Sequence, residues 1–445
     1  MCAIVGVFDT KEASRVTYYS LFAMQHRGQE ATGISVSDGE KISKIKKRGL
    51  VTEVFDEAGL KFLKGNSAVG HNRYSTAGSK SVLDAQPIHA SYKLGEISIV
   101  HNGNLINKDE VRNALIDEGA IFQSEMDTEN IIHLIARSQE EYLRDRIIEA
   151  LNIIKGAYCL IIQSRHKMFA IRDRYGVRPF CIGRLEDGGY IVSSETCAFD
   201  LVGAEFIRDV RPGEMIIFDK DKKGFESIQL FEPTPRVCAF EYIYFARPDS
   251  VIEGKSVYAV RQEIGKALAR ENKIDADLVI PVPDSGVSAA MGYAQESGIP
   301  FEMAIVRNHY VGRTFIEPTQ AKRDMKVKLK LSPIKEILKG KRIIVVDDSL
   351  VRGTTSKRII KILKNAGAKE VHMCIASPTI EHPDIYGIDT PSYEELISAN
   401  MSVEEIREYI KADSLSFLSI DALKKSIGED MNYSLVSFDG DYFIK

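Results

Sequence analysis

Residues 342–356 read Arg-Ile-Ile-Val-Val-Asp-Asp-Ser-Leu-Val-Arg-Gly-Thr-Thr-Ser, and few folds accommodate such a run. Ile343 to Val346 are four consecutive β-branched residues. A strand carries that pattern when both of its faces are buried, as in a parallel sheet. Asp347 and Asp348 stand at its C-terminal end, and Gly353 lets the backbone come close to a ligand. Thr354, Thr355 and Ser356 are all good N-cap types for a following helix. Ile359, Ile360 and Leu363 give that helix one apolar side, and Gly367 stops it. Strand, loop and helix make half of a doubly wound α/β unit, in which ligands bind beyond the carboxyl ends of the strands.

The loop suits a phosphorylated sugar. Successive N–H groups from Arg352 to Ser356 can cradle a monophosphate at the helix N-terminus. The hydroxyls of Ser349, Thr354 and Thr355 add donors. Asp347 and Asp348 would repel phosphate, but they can accept hydrogen bonds from two vicinal hydroxyls, directly or through Mg²⁺ and its waters. A ribose 5-phosphate offers both groups. A plainer reading, a buried strand ending in a solvated acid pair, accounts for Asp-Asp alone but not for its whole context. The run is neither a Walker A loop nor a dinucleotide fingerprint. It closely resembles the phosphoribosyl pyrophosphate (PRPP) loop of type I phosphoribosyltransferases. That resemblance implies PRPP held by Asp347, Asp348, Ser349, Arg352, Gly353, Thr354 and Thr355, with Mg²⁺ at the two aspartates.

Bulk properties set outer limits. The 445 residues suggest roughly three domains or fewer. A net charge of −4 gives no reason to expect a nucleic acid or anionic membrane partner. Six scattered cysteines without a Cys-x-x-Cys pair fit a reducing, cytoplasmic setting. No apolar run approaches a membrane span. The N-terminus turns polar by Asp9, Lys11 and Glu12, too early for a signal peptide.

At the other end of the chain, Ala3 to Phe8 reads as a strand, which puts Cys2 at its edge just behind the initiator Met. Removal of Met1 would leave a thiol and an α-amine on one residue. Such an amine titrates near pH ~8 and can take the thiol's proton. An inert buried cysteine is the commoner situation, but position 2 sets this one apart. Helix 14–23 precedes Met24-Gln25-His26-Arg27-Gly28. Val69-Gly70-His71-Asn72-Arg73-Tyr74-Ser75-Thr76 follows a short strand. The strand Ile97 to Val100 runs into His101-Asn102-Gly103-Asn104, read as a tight Asn-Gly turn. Asn107 with Glu110 forms a capping-box pattern, and Ser124 to Glu129 opens a further helix. Together with Cys2, these segments closely resemble the class II glutamine amidotransferase domain, over about residues 2–230. The implied fold is an N-terminal-nucleophile sandwich of four αββα layers. The implied roles are nucleophile for Cys2, oxyanion hole for the Asn102 side chain and the Gly103 N–H, α-carboxylate contact for Arg73 and α-ammonium contact for Asp127. Thr76 and His101 are further glutamine contacts.

Phe231-Glu232-Pro233-Thr234-Pro235 marks a boundary. The segment Cys238 to Ser250 closely matches the one joining the two domains in the glutamine PRPP amidotransferase family. Helix 257–270 and strand 277–281 lead to Pro283-Asp284-Ser285-Gly286, a strand-end loop facing the same crevice as Asp347. The family places a hydroxyl here on Mg²⁺ or pyrophosphate, at Ser285. Between Arg313 and Arg342 ten Lys/Arg face three acids. A solvated basic face is the ordinary meaning of such an excess. Beside a diphosphate site we read a lid, from Tyr310 to about Lys330, with Arg313 on PRPP. His309 stands where the family often has Arg. Ser402 with Glu405 should cap helix 403–411, and Asp421 to Ile427 is another helix. One branch of the family holds an iron–sulfur cluster on four cysteines. Here only Cys238 remains, beside Asp384, Ser434 and Ser437, so no cluster is expected.

The expected organisation is a glutaminase domain over 2–232, an α/β phosphoribosyltransferase domain over 238–380 and a helical C-terminal appendage over 381–445. The resemblance to the glutamine PRPP amidotransferase family spans nearly the whole chain. It implies that ammonia from glutamine displaces pyrophosphate from PRPP to give 5-phosphoribosylamine, the opening step of purine nucleotide synthesis. It further implies feedback by purine nucleotides and a dimer or tetramer. Ammonia released to water would be protonated and lost, and a basic lid ordered by PRPP could pack against the loops carrying Arg73 and Asn102, so PRPP is expected to activate the glutaminase. Two other readings are a non-catalytic PRPP sensor and a sugar-phosphate aminotransferase. The first leaves the glutaminase without an acceptor, and the second lacks an Asp-Asp-Ser loop.

Overall fold

The computed structural model describes residues 1–74, 81–308, 331–388 and 390–444. Thr76, His309, Arg313 and the lid segment lie outside the described residues.

The N-terminal half stacks two antiparallel sheets. The first has seven strands, in the order Glu205–Asp209, Cys181–Arg184, Tyr190–Ser193, Ala3–Phe8, Ser67–Arg73, Ala31–Ser37 and Ile42–Arg48. The second has six, in the order Glu226–Gln229, Glu214–Asp219, Lys167–Arg172, Gly156–Ser164, Gly95–Leu105 and Ile88–Tyr92. The alternation of a strand explains the stacking. Ala3, Val5 and Val7 face an outer core under helices Ala13–Ala23 and Cys197–Val202. Ile4 and Phe8 face the inner core with Val100, Ile161 and Phe218 of the second sheet. Ile131, Ile135, Ile147 and Leu151 of helices Asp127–Arg137 and Leu143–Ile153 cover the far side. The result is the expected αββα sandwich.

The C-terminal half is built on a parallel sheet ordered Leu278–Pro281, Arg342–Asp347, Glu370–Ile375 and Ser414–Phe417. Ile343 and Val345 pack with Ile359, Ile360 and Leu363 of helix Thr354–Asn365. Ile344 and Val346 point the other way, toward helices Val257–Glu271 and Val287–Ser297. Both faces of the β-branched run are therefore buried, as its composition requires. The segment after 380 carries the expected helices, Val403–Ile410 and Ile420–Ile427 among them. It also supplies Ser414–Phe417 as the sheet's fourth strand, so it is knit into the transferase core rather than appended to it.

The two halves share one core. Met1, Ala157 and Val177 belong to the same apolar cluster as Tyr242, Val260, Val346 and Tyr386. Among the described residues no helix is long and apolar enough to cross a membrane.

Candidate active sites

Strand register seats Cys2. Ala3 pairs with Asn72, so the residue before Ala3 lies against the residues after Asn72. The Tyr74 N–H approaches Cys2 Sγ at 3.5 Å. From the second sheet, Asn102 Oδ1 accepts a hydrogen bond from the Cys2 nitrogen at 3.0 Å. That leaves the buried Asn102 Nδ2 with no partner among the described residues. Gly103 beside it has φ +153°, and a Cβ there would stand 1.9 Å from the Ala157 carbonyl oxygen. Only glycine fits.

The Asn-Gly turn expected here is absent. Strand Gly95–Leu105 runs straight through it, with Asn104 paired to Ala157 and Leu105 to Gly156. A hairpin turn would have to break that ladder, and the neighbouring strand outweighs local turn preference. Asn107 likewise does not cap with Glu110. Its side chain bonds the Ile153 carbonyl and the Lys155 N–H, tying two segments together.

Cys2, Arg73, Tyr74, Gln86, His101, Gly103, Asn104, Lys108, Glu125, Met126 and Asp127 line one cleft. Asp127 opens helix Asp127–Arg137 and accepts the Leu105 N–H at 2.9 Å. Its Oδ1 lies 3.4 Å from His101 Nδ1. Burial pushes the Asp127 carboxyl up, but His101 and the Leu105 N–H outweigh it and hold the group below its ordinary range. Arg73 is buried, with Nη2 3.7 Å from Asp84. The cleft thus holds a fixed cation and a fixed anion, which matches the two charged ends of an amino acid. Gln86 was not foreseen. It accepts the His101 N–H at 2.7 Å and donates to Thr128, so it steadies the strand behind Asp127. A lone buried glutamine in an irregular segment leaves no sequence signal. The other half reaches this cleft too: Asn104 Nδ2 donates to the Ile385 carbonyl at 2.8 Å, and a Cβ on Gly387 would stand 3.1 Å from Gly103.

The second site lies beyond the strand Arg342–Asp347. Asp347 and Asp348 are both buried. Burial, reinforced by Asp348, raises the Asp347 carboxyl well above its ordinary range. The Asp348 N–H donates to Asp347 Oδ1 at 3.0 Å, and the Ser349 hydroxyl donates to Asp348 Oδ2 at 2.6 Å. Gly353 takes a left-handed conformation (φ +68°) as the N-cap of helix Thr354–Asn365. Thr354 and Thr355 are exposed at its first turn. The Arg352 side chain pairs with Glu395 at 2.5 Å, so its main chain rather than its guanidinium belongs to the loop. The Val282 N–H donates to the Val346 carbonyl at 2.8 Å, which brings the loop bearing half-buried Ser285 alongside the acid pair. Among the described residues no three His, Cys, Asp or Glu side chains converge on a metal position.

At the third place, Val237–Cys238 pairs in parallel with Tyr433–Ser434. Asp384 Oδ1 accepts the N–H groups of Tyr386 and Ile388 there. All six cysteines are free.

Comparison with known proteins covers both sites. Residues 71–200 match the glutamine amidotransferase domain family, and residues 255–392 match the phosphoribosyl transferase domain family. The chain is 50% identical to amidophosphoribosyltransferase 1, chloroplastic, of Arabidopsis thaliana, covering 100% of this chain and 79% of that one. It is 47% identical to amidophosphoribosyltransferase of Bacillus subtilis, covering 99% and 94%. The solved structure of the B. subtilis glutamine PRPP amidotransferase, complexed with ADP and GMP, superposes with a TM-score of 0.95 at 46% identity, covering 100% of this chain and 98% of that one. Two domain families in this order, with identity near one half along the full chain, place it among its relatives: the chain belongs to the amidophosphoribosyltransferase family.

Proposed function

We propose that Cys2 hydrolyses glutamine and that the ammonia released attacks the anomeric carbon of PRPP at the Asp347–Asp348 site, yielding 5-phosphoribosylamine, glutamate and pyrophosphate. Arg73 holds the glutamine α-carboxylate and Asp127 its α-ammonium. Once Met1 is removed, the Cys2 α-amine takes the thiol's proton and the thiolate attacks the side-chain amide carbon. The oxyanion that forms receives hydrogen bonds from Asn102 Nδ2 and the Gly103 N–H. Collapse breaks the C–N bond, and the ammonium returns its proton to the leaving ammonia. Water then cleaves the glutamyl thioester. The observation that carries this reading is the division of labour at Asn102: Oδ1 is engaged by the Cys2 nitrogen, and Nδ2 is left over beside the nucleophile.

At the second site the loop N–H groups from Arg352 to Ser356, with Thr354 and Thr355, take the 5-phosphate. Asp347 and Asp348 take the ribose hydroxyls. The donor set there is all hard oxygen and too sparse to cage a metal alone. It therefore suits Mg²⁺ arriving on the diphosphate, with Ser285 as an added ligand. The metal would offset the charge that builds on departing pyrophosphate. No iron–sulfur cluster is proposed at Cys238, because Ser434, Ser437 and Asp384 offer no thiolate. Purine nucleotides are proposed as feedback inhibitors, in line with the ADP and GMP bound in the B. subtilis structure. We further propose a cytoplasmic homo-oligomer.

The test is product release. Glutamate and pyrophosphate should appear together from glutamine and Mg-PRPP. Cys2→Ala should abolish the glutamine-dependent reaction and keep the ammonia-dependent one. Loss of both activities would refute two separable sites.

A further inference from the structure

The nucleophile is held from a direction that the reaction scheme does not use. Arg27 is fully buried. Its Nε donates to the Cys2 carbonyl at 3.0 Å. Its Nη1 donates to Glu195 at 2.6 Å and to Glu241 at 2.9 Å, and its Nη2 to Glu241 at 2.8 Å. Glu241 therefore grips the guanidinium with both oxygens, a geometry that fixes a planar group in place. Glu195 lies in the glutaminase half. Glu241 lies in the segment that opens the transferase half.

Resting on the reading above, we propose that Glu241 is a positioning residue for Cys2: through Arg27, the transferase half sets where the glutaminase nucleophile sits. Arg178 joins the cluster with Nη1 3.9 Å from Glu241, and burying these four charges, Arg27 and Arg178 with Glu195 and Glu241, is costly where apolar side chains would serve for stability alone. What the charged arrangement adds is geometry. The Cys2 main chain is fixed at both ends, its nitrogen by Asn102 and its carbonyl by Arg27.

The same segment reaches the thiol by a second route. Glu241–Phe245 is one π-helical turn. The Phe245 ring at its far end meets Tyr74 edge-on, centroids 6.2 Å apart, and it is the Tyr74 N–H that approaches Cys2 Sγ. Arg261 clamps the turn by donating to the carbonyls of Tyr242 at 2.7 Å and Ala246 at 2.8 Å. One turn of the transferase half thus bears on Cys2 from its carbonyl side and from its sulfur side.

Two variants test this in the full-length enzyme. Glu241→Gln loses half of the grip. Arg27→Lys keeps a positive charge between the two carboxylates but has no Nε to hold Cys2, and it decides the matter should Glu241→Gln fail to fold. Displacing a reacting atom by about 1 Å costs on the order of a hundred-fold in rate. Glutaminase kcat should fall ~10–100-fold, with glutamine KM within about three-fold because Arg73 and Asp127 are untouched. Alkylation of Cys2 by a diazo-ketone glutamine analogue should slow by the same factor. Ammonia-dependent pyrophosphate release should stay at the wild-type rate. Glutaminase kcat and alkylation within about two-fold of wild type in a folded variant would overturn the proposal. So would an equal fall in the ammonia-dependent reaction, which would mark the cluster as structural. The wild type measured alongside separates this outcome from failure of the glutaminase reading itself, which would show as no glutamate release at all.

Discussion

Asn102→Asp changes the glutaminase site by exchanging one NH₂ for an oxygen, with the shape kept. The acceptor that meets the Cys2 nitrogen at 3.0 Å survives. The Nδ2 donor, without a partner among the described residues, is lost. Removing one oxyanion-hole donor costs about 2.7–4 kcal/mol, or on the order of 10²–10³ in kcat. The new carboxylate adds to that loss in two ways. It opposes the negative charge growing on the glutamine oxygen. It also favours the protonated Cys2 amine, raising that pKa above its ordinary value near ~8. An amine with a raised pKa stays protonated further up the pH scale, so the residual activity should keep climbing at pH values where the wild type has levelled. Asn102→Ala, which loses donor and acceptor but adds no charge, should lose the donor's share of the rate, on the order of 10²–10³, without that alkaline shift. The assay is glutamate release at saturating glutamine across pH, with ammonia-dependent pyrophosphate release as the control for an intact transferase half. A kcat for Asn102→Asp within about ten-fold of wild type would refute the assignment of Nδ2 to the oxyanion.

Other outcomes follow from single features of the structure. Gly353→Ala places a Cβ at φ +68° and 2.8 Å from Ile397 Cδ1. It should raise the KM for PRPP and lower stability by about 1–2 kcal/mol in a denaturant titration, while glutaminase activity without PRPP is unchanged. Burial, aided by Glu253, pushes the Asp209 carboxyl up to about 7. The native state therefore binds more protons than the unfolded chain between about pH 4 and 7, and stability on this account falls as pH rises through that window. Asp209→Asn should thus be stabilising at pH ~8, by on the order of 1–3 kcal/mol, and close to neutral at pH ~4; unfolding curves at the two pH values decide it. Chelating Mg²⁺ should abolish pyrophosphate release from PRPP, because its diphosphate would otherwise meet Asp347 and Asp348 uncompensated; undiminished turnover in chelator would contradict the site. Saturating Mg-PRPP should raise glutamate release several-fold to about a hundred-fold, the range of a ~1–3 kcal/mol coupling, and equal rates would remove the coupling.

Local pattern was enough wherever the deciding interactions lie close in sequence. The run from Ile343 to Val346 had to be a strand buried on both faces, and Gly353 had to begin the loop-to-helix turn. Ser402 with Glu405 had to be a cap, and both reciprocal hydrogen bonds form. Cys2 was conspicuous because its meaning comes from its position. What the tertiary structure alone decided involves partners far apart in the chain. Asn102-Gly103 has the composition of a turn, yet it extends because the strand Gly156–Ser164 pairs past it. Ser414–Phe417 alternates polar and apolar residues over only four positions, too short a run to decide by itself, and it is the open edge of Glu370–Ile375 that makes it a strand. Arg27, Glu195 and Glu241 are residue types that belong on the surface. Their carboxylates come from 168 and 214 residues away along the chain. Nothing local distinguishes a solvated arginine from one buried between two such acids, because the burial is cheap enough only once all of these charges meet.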